Sequence, residues 1–382
     1  MRDSGAGQYT TTLQRIKIYS LGPSPAVKGG ISRVVDRIRN RFPTNIDFQI
    51  IPTFSKYTGG GDEKGSPIQQ LFVYIWACVR VTVAAITPGK KVFHVQLSQR
   101  GSMFRKGIVC LLLRLLRQPY IIHTHAFDDD LFFRWTPPSV KRAITVNLAH
   151  GKRFLVLTQS WRKFYIDSFG VSPAKVEIFP TPVDLPAHIP DRRGRDGIRV
   201  LFLGRIGERK GAFELIRAFA SLPEEIRSHS SLTLAGDGDI DMAKQLAKNL
   251  HCDSVSVPGW TGPAEVNRLL EESDIFVLAS HGEGLSGALV EALAWGLAVI
   301  TTAAGGTDEF LTTGQNALLV RPGNVEDIRD ALAALITNEE FRLRLGQEAR
   351  KTAEAFDVDV YIARLVKLYE DVAAIDRIEG DR

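Results

Sequence analysis

Between residues 199 and 320 the chain alternates short apolar runs with longer helix-forming stretches, and few folds tolerate that rhythm. The apolar runs are Arg199–Leu203, Leu232–Ala235, Val255–Val257, Ile275–Ala279, Ala298–Thr302 and Ala317–Val320. Between them Phe213–Ser221, Asp241–Asn249, Pro263–Glu272 and Gly287–Trp295 read as helices. Alternation on this scale implies a parallel sheet with helices on both faces, the doubly wound α/β plan. The first half repeats it less cleanly, with strands at Arg15–Leu21, Phe48–Pro52, Val92–Leu97, Tyr120–His123, Phe154–Thr158 and Lys175–Pro180. Helices are expected there from about Ile31 and over Gly107–Leu116. A chain of 382 residues exceeds the usual single core, so two such domains are expected, 15–181 and 198–356, joined by a Pro- and Arg-rich linker at 182–197. Residues 1–14 are polar, lack an apolar h-region, and read as a disordered tail rather than a signal peptide.

The most informative stretch runs from Ser280 to Glu309, SHGEGLSGALVEALAWGLAVITTAAGGTDE. Gly282, Gly284 and Gly287 permit a tight turn after the run Ile275–Ala279 and leave room for a ligand near backbone N–H groups. The helix that follows ends at Gly296, and its unsatisfied first-turn donors attract phosphate. Glu291 lies among Leu289, Val290, Ala292 and Leu293, so this helix is apolar nearly all round and expected to be buried. A buried acid needs a partner, and a ligand hydroxyl is one candidate. Upstream, Arg205 and Lys210 flank a glycine-bounded turn directly after a strand. Two such cations are solvated on many surfaces; fixed in a cleft they would stabilise a departing diphosphate more than its ground state.

In the first half, Gly29-Gly30 stand at a helix start beside Lys28, either as a plain turn or with backbone donors facing a phosphate or an acceptor. His123-Thr-His125 ends a strand, where a parallel sheet presents side chains to its ligand crevice. A purely structural hydrogen bond is the other role for His125. No acidic or thiol partners with ligand spacing join the two histidines, which argues against a metal centre. There is no Walker-A pattern, which weakens an NTPase reading. Cys78, Cys110 and Cys252 are scattered, as reduced core thiols of a cytosolic protein would be.

Glu283 and Glu291 form an E-x7-E pattern followed by Gly305-Gly306 and Glu309. This resembles the donor-site signature of the retaining, nucleotide-sugar-dependent glycosyltransferases of family 4, which have the GT-B fold and serve bacterial polysaccharide biosynthesis. The resemblance covers most of the chain and is strongest from Val200 to Val320. Two positions depart from it: Leu285-Ser286 where the family usually has Phe-Gly, and Leu297 where it usually has Pro. Both can reshape the sugar pocket without removing the carboxylates.

The resemblance implies two Rossmann-like domains facing across a cleft, the first binding the acceptor and the second the nucleotide sugar. Residues 357–382 would form a helix crossing back to the first domain. Glu291 would hold the ribose hydroxyls, and Glu283 the donor sugar with Gly284, Leu285 and Ser286 beside it. Arg205 and Lys210 would grip the diphosphate, Gly305-Gly306 would pack near the sugar with backbone donors, and the Gly29-Gly30 loop would border the cleft. His125 would support the reacting face, which makes His125, Arg205, Lys210 and Glu283 the catalytic set. The donor would be UDP- or GDP-linked, with no obligatory metal because side-chain cations neutralise the charge. An epimerase or phosphorylase on the same plan, or a non-catalytic sugar-nucleotide or glycan-binding protein, are the rivals.

Charge bears on the acceptor. Residues 1–185 hold 26 Lys and Arg against 11 Asp and Glu, net +15, and the remainder holds 22 against 32, net −10. Such asymmetry suggests that the first half meets something anionic, although no nucleic-acid motif accompanies it. Leu71–Ile86 is apolar but short for a bilayer span and contains Arg80, so a buried or interfacial helix is expected. Arg80, Arg100, Arg105, Lys106, Arg114 and Arg117 flank apolar segments. They suggest peripheral contact with an anionic membrane through residues 71–117, at the inner face, where a glycan or lipid-linked glycan acceptor would be presented.

Overall fold

A computed structural model describes residues 15–24, 27, 29–54, 67–98, 101–125 and 136–380. The polar N-terminus expected to be disordered, Lys28, the glycine-rich stretch from Tyr57 and Arg100 lie outside the described residues.

Among the described residues, twelve strands form two six-stranded parallel sheets. The first comprises β1 (Ile16–Pro23), β2 (Ile46–Phe54), β3 (Lys91–Leu97), β4 (Tyr120–Thr124), β5 (Arg153–Val156) and β6 (Val176–Ile178), in the order β2-β1-β3-β4-β5-β6. The second comprises β7 (Ile198–Leu203), β8 (Ser230–Ala235), β9 (Val255–Gly259), β10 (Ile275–Leu278), β11 (Ala298–Thr301) and β12 (Leu318–Leu319), in the order β12-β11-β10-β7-β8-β9. Strands β3, β4, β10 and β11 are buried along their whole length, as parallel strands covered on both faces must be. The connectivity reverses direction between β1 and β3 in one sheet and between β7 and β10 in the other. Ligands of open α/β sheets bind in the crevice at such reversals, beyond the carboxyl ends of the strands.

The second domain has its own continuous core, in which Phe202, Leu215, Phe219, Phe276, Val290 and Ile300 are fully enclosed. The first domain is completed from the far end of the chain. The final helix, Val358–Gly380, lays Tyr361, Leu365, Tyr369 and Val372 on one face of the first sheet, against Ile18, Val92, Ile121 and Leu155. The chain returns there through a bridge between Val183 and Asp357. Residues 182–197 are more than a spacer: Arg192 is buried and donates to the carbonyls of Ser273 and Leu270 at 2.7 and 3.2 Å.

Three expectations about the first domain are corrected. The helix expected at 71–86 starts earlier, as α2 (Pro67–Ile86, 20 residues), because proline suits the first turn of a helix. Its Ile68–Ile86 portion is long and apolar enough to cross a membrane by length and composition, so shortness does not exclude a span. One face, with Ala77, Val81, Ala84 and Ala85, is buried in the core, while Ile68, Leu71, Phe72, Ile75, Trp76, Val79, Val83 and Ile86 are exposed on the other. The helix expected at Gly107–Leu116 starts six residues sooner, as α3 (Gly101–Leu115), so that Arg105 and Lys106 belong to its first turns. Finally, Lys106 does not flank an exposed apolar surface. It is 2% exposed and turned inward, with its ammonium donating to the carbonyl of Leu21 at 2.6 Å.

Candidate active site

The loops after β1, β3, β7 and β10 converge on one cavity of about 660 Å³ between the two sheets. It is lined from the first domain by Gly29, Gly30, Arg33, Arg37, Lys106 and His125 among others, and from the second by Arg205, Lys210 and the run Glu283–Glu291. The structure therefore gathers Gly29, Gly30, His125, Arg205, Lys210, Glu283, Gly284, Leu285, Ser286 and Glu291 around one space. A Cβ at Gly29 or Gly30 would meet nothing within 4 Å, so packing does not demand either glycine. Both sit at the start of α1 (Gly30–Arg39) and face the cavity.

Lys210 and Glu283 form the tightest ion pair of the cavity, with side chains only 12% and 13% exposed. Local backbone geometry puts them together. Gly211 has φ +70°, and a Cβ there would lie 2.2 Å from the Ala279 carbonyl, so only glycine lets the turn after β7 pack on the end of β10. Burial pulls the Lys210 pKa below its usual value while the Glu283 carboxylate pulls it back up. Arg209 reaches the same carboxylate at 3.4 Å and donates to the Gly282 carbonyl at 3.1 Å. Arg205 is looser, 56% exposed and 3.5 Å from Asp237.

Glu291 sits in the short helix Gly287–Ala294, whose N-cap residue Ser286 makes no side-chain capping bond, so the first-turn N–H groups have no side-chain acceptor of their own. The partner a buried acid requires comes from the other domain. Arg37 donates to Glu291 Oε1 at 2.6 Å, to Asp184 Oδ2 at 2.8 Å and to the Pro182 carbonyl at 2.7 Å. Arg33, one turn earlier on α1, lies 3.4 Å from the same Oε1. Oε2 of Glu291 is enclosed with no hydrogen-bond partner among the described residues.

His125 follows β4 and pairs its Nε2 with Gln96 Oε1 at 2.7 Å. An amide oxygen only accepts, so this contact fixes the Nε2–H tautomer and leaves Nδ1 as an acceptor. Burial pulls its pKa down to about 4, so the imidazole is neutral near pH 7 and works through hydrogen bonds rather than charge. Behind it, His123 stacks on His94 at 5.4 Å and lies tilted against His125 at 4.3 Å, and His94 Nδ1 meets the Tyr369 hydroxyl at 2.6 Å. Burial and the His125 imidazole lower His94 to about 3, and burial with His125 and His94 lowers His123 well below its usual value.

The unfolded chain protonates these rings near pH 6.5 and the native state does not. Their contribution to stability is thus complete above about pH 6.5 and is lost as pH falls toward about 4. Unfolding free energy measured in urea between pH 7 and 4.5 is expected to drop accordingly. His123→Phe should flatten the slope by up to about 1.4 kcal/mol per pH unit. An unchanged slope would mean that His123 is not held neutral.

Residues 190–352 match the family described as Glycosyl transferases group 1. The match spans the end of the linker and nearly all of the second domain. The lipopolysaccharide core biosynthesis glycosyltransferase LpsE of Rhizobium meliloti is 30% identical over 189 residues, 49% of this chain and 51% of that one. The D-inositol 3-phosphate glycosyltransferase of Corynebacterium glutamicum is 26% identical over 304 residues, 72% of each. The chain spans about half the length of several curated relatives it matches. Anabaena HepE, solved in complex with UDP, superposes with a TM-score of 0.70 at 16% identity, covering 93% of this chain and 100% of that one. At that identity the likeness is one of fold, two doubly wound domains facing across a cleft in the GT-B arrangement.

Gly305-Gly306 do not line the cavity; they brace its Glu283–Ser286 loop from behind. Gly305 has φ +71°, and a Cβ there would lie 2.3 Å from the carbonyls of both Glu283 and Gly284. The same segment grips the first domain. Thr158 Oγ1 donates to the Gly305 carbonyl at 3.2 Å, and Glu309 accepts from the backbone of Gln159 and Ser160 at 2.6 and 2.7 Å. The sequence reading did not single out Arg33, Arg37, Arg209 or Gln96, and it placed Arg105 and Lys106 outside the cleft. The spacing of Arg33 and Arg37 on one helical face just after Gly29-Gly30 was the available signal.

Proposed function

We propose that the protein transfers a sugar from a nucleotide-diphosphate sugar to an acceptor hydroxyl with retention of anomeric configuration. The buried Lys210–Glu283 pair, set in the family-matched domain where two connectivity reversals face each other, carries this reading. In it Glu283 receives the donor sugar and Glu291 the ribose hydroxyls. Lys210 and the more exposed Arg205 answer the charge that grows on the diphosphate as the glycosidic bond breaks. The neutral His125 offers Nδ1 as an acceptor at the reacting face, and Gly29-Gly30 border the acceptor. With these cations the departing diphosphate needs no divalent metal. Incubation with labelled UDP- and GDP-sugars in excess EDTA, with NMR of the product, tests the reading. Transfer or slow donor hydrolysis with an unchanged anomer supports it. An inverted product, a chelator-dependent one, an epimerised or phosphorolysed donor, or binding without turnover would each replace it.

The acceptor in this reading is a glycan or lipid-linked glycan met at the inner face of the membrane. Two helices support that placement. Twelve of the 19 exposed large apolar side chains among the described residues lie on α2 and α3, eight from Ile68 to Ile86 and four from Phe104 to Leu115. From Lys64 to Phe127 the sequence has no Asp or Glu. An apolar face without negative charge suits an anionic bilayer surface, where each nearby Lys or Arg contributes about 1 kcal/mol. Vesicle co-sedimentation at low salt checks it, and equal retention on neutral and anionic vesicles would remove the electrostatic part.

A further inference from the structure

The two walls of the cavity are charged differently. The second-domain wall mixes Arg205, Arg209 and Lys210 with Asp237, Glu283 and Glu291. The first-domain wall carries Arg33, Arg37, Arg105 and Lys106 and, among the described residues, no carboxylate. Glu291 answers Arg33 and Arg37 from across the cleft. Arg105 and Lys106 have no such counterpart among the described residues: their contacts are to neutral groups. The Lys106 ammonium donates to the Leu21 carbonyl and to Thr53 Oγ1, which leaves a third N–H. The Arg105 guanidinium lies 5.4 Å from the centre of the Phe54 ring, and its Nε is enclosed with no acceptor. Ser102, on the same wall, accepts from the Ser98 N–H at 3.2 Å and keeps its own proton to donate.

A buried ammonium and a half-buried guanidinium without a counter-charge are costly, and burial with the neighbouring Arg105 pulls the Lys106 pKa down to about 7; sugar hydroxyls bring no charge to offset this. A group with several anionic oxygens does, and a planar guanidinium beside a compact ammonium is the pairing that holds phosphate well. We propose that Arg105 and Lys106, with the Ser102 hydroxyl, bind a phosphate or diphosphate group carried by the acceptor. This rests on the transfer reading above, in which the donor's own diphosphate belongs to Lys210 and Arg205 on the opposite wall. Helix α3 also links this site to the outside. The residues beside and after Arg105 and Lys106, namely Phe104, Ile108, Leu111 and Leu115, are exposed. A lipid-linked diphosphate would put its head in the cleft and its chain along that face, whereas a soluble phosphorylated acceptor would use the cleft alone.

The test is calorimetric titration of inorganic pyrophosphate into protein already saturated with UDP or GDP, whichever gives the larger thermal shift. Wild type is expected to bind pyrophosphate under these conditions. Arg105→Gln and Lys106→Met should each weaken that binding at least ~10-fold while nucleotide affinity stays within about threefold. No pyrophosphate binding to the nucleotide-saturated protein, or binding unaltered by Arg105→Gln, overturns the proposal. Should Lys106→Met fail to fold, Arg105→Gln decides alone, since its half-exposed guanidinium is dispensable for the core. If neither nucleotide binds, the transfer reading fails, and pyrophosphate titration of the free protein still tests the anion site. Neutral vesicles doped with a polyprenyl diphosphate separate the two sources. Retention that excess pyrophosphate abolishes assigns a lipid-linked acceptor; pyrophosphate binding without retention assigns a soluble one.

Discussion

Lys210→Met is expected to lower kcat/KM for sugar transfer by about 100- to 1,000-fold, the loss seen when one preorganised donor to a developing charge is removed. Arg205→Ala should cost only about 10-fold, because its guanidinium is 56% exposed and held by a single 3.5 Å contact to Asp237. The difference follows from burial. Lys210 cannot leave its place without leaving Glu283, whose side chain is 13% exposed, to Arg209 alone at 3.4 Å. Glu283→Gln combined with Lys210→Met should therefore lose little more than the worse single variant, since neighbours acting together are not additive. Steady-state kinetics with the identified donor measure all four proteins. Near-normal transfer by Lys210→Met would remove the diphosphate assignment, and additive losses would remove the pairing.

Arg37→Met is expected to destabilise the protein by about 3–5 kcal/mol, the usual consequence of taking one partner from an enclosed ion pair. The Arg37 and Glu291 side chains are 14% and 9% exposed, and Arg37 also serves Asp184 and Pro182. Glu291→Gln in the Arg37→Met background should recover at least half of the loss, because a neutral amide tolerates enclosure better than a lone carboxylate. Nucleotide affinity should move differently. Glu291→Gln alone should weaken it by about 10-fold through the lost charged hydrogen bond, whereas Arg37→Met should not weaken it, since it leaves Glu291 Oε1 to Arg33 alone at 3.4 Å. Urea unfolding and calorimetric nucleotide titration read the two effects. A cost below about 1 kcal/mol for Arg37→Met would show that the pair does not tie the domains together.

The second domain was legible because its signals are local. Ile275–Ala279 and Ala298–Thr302 match strands of the sheet to within a residue, since a short apolar run bounded by polar turns has few other uses in a parallel sheet. The first domain was less so where a helix begins in polar or glycine-containing sequence. The expected helices began at Leu71 and Gly107, yet Pro67 and Gly101 to Lys106 already lie inside them. That shift of register changed function as well as boundaries. It turned Arg105 and Lys106 from surface cations into cavity residues, leaving Arg80, Arg114 and Arg117 among the outward candidates. The partner of Glu291 could not be read at all. Arg37 is 254 positions away in the chain, and nothing short of the packed domains brings them together. The role of Gly305 was likewise hidden, because its need for glycine comes from carbonyls of a different loop.

The final helix has a consequence for how such a chain comes into being. Synthesis delivers β1 to β6 first, yet Ile18, Val92, Ile121 and Leu155 stay uncovered on one face until Leu365, Tyr369 and Val372 emerge. The second domain, whose core lies within residues 157–356, can close while the earlier one waits. The half made first is thus the half sealed last. During that interval its bare apolar face is open to other chains, which gives a growing polypeptide of this design reason to be shielded until its last turns of helix are in place.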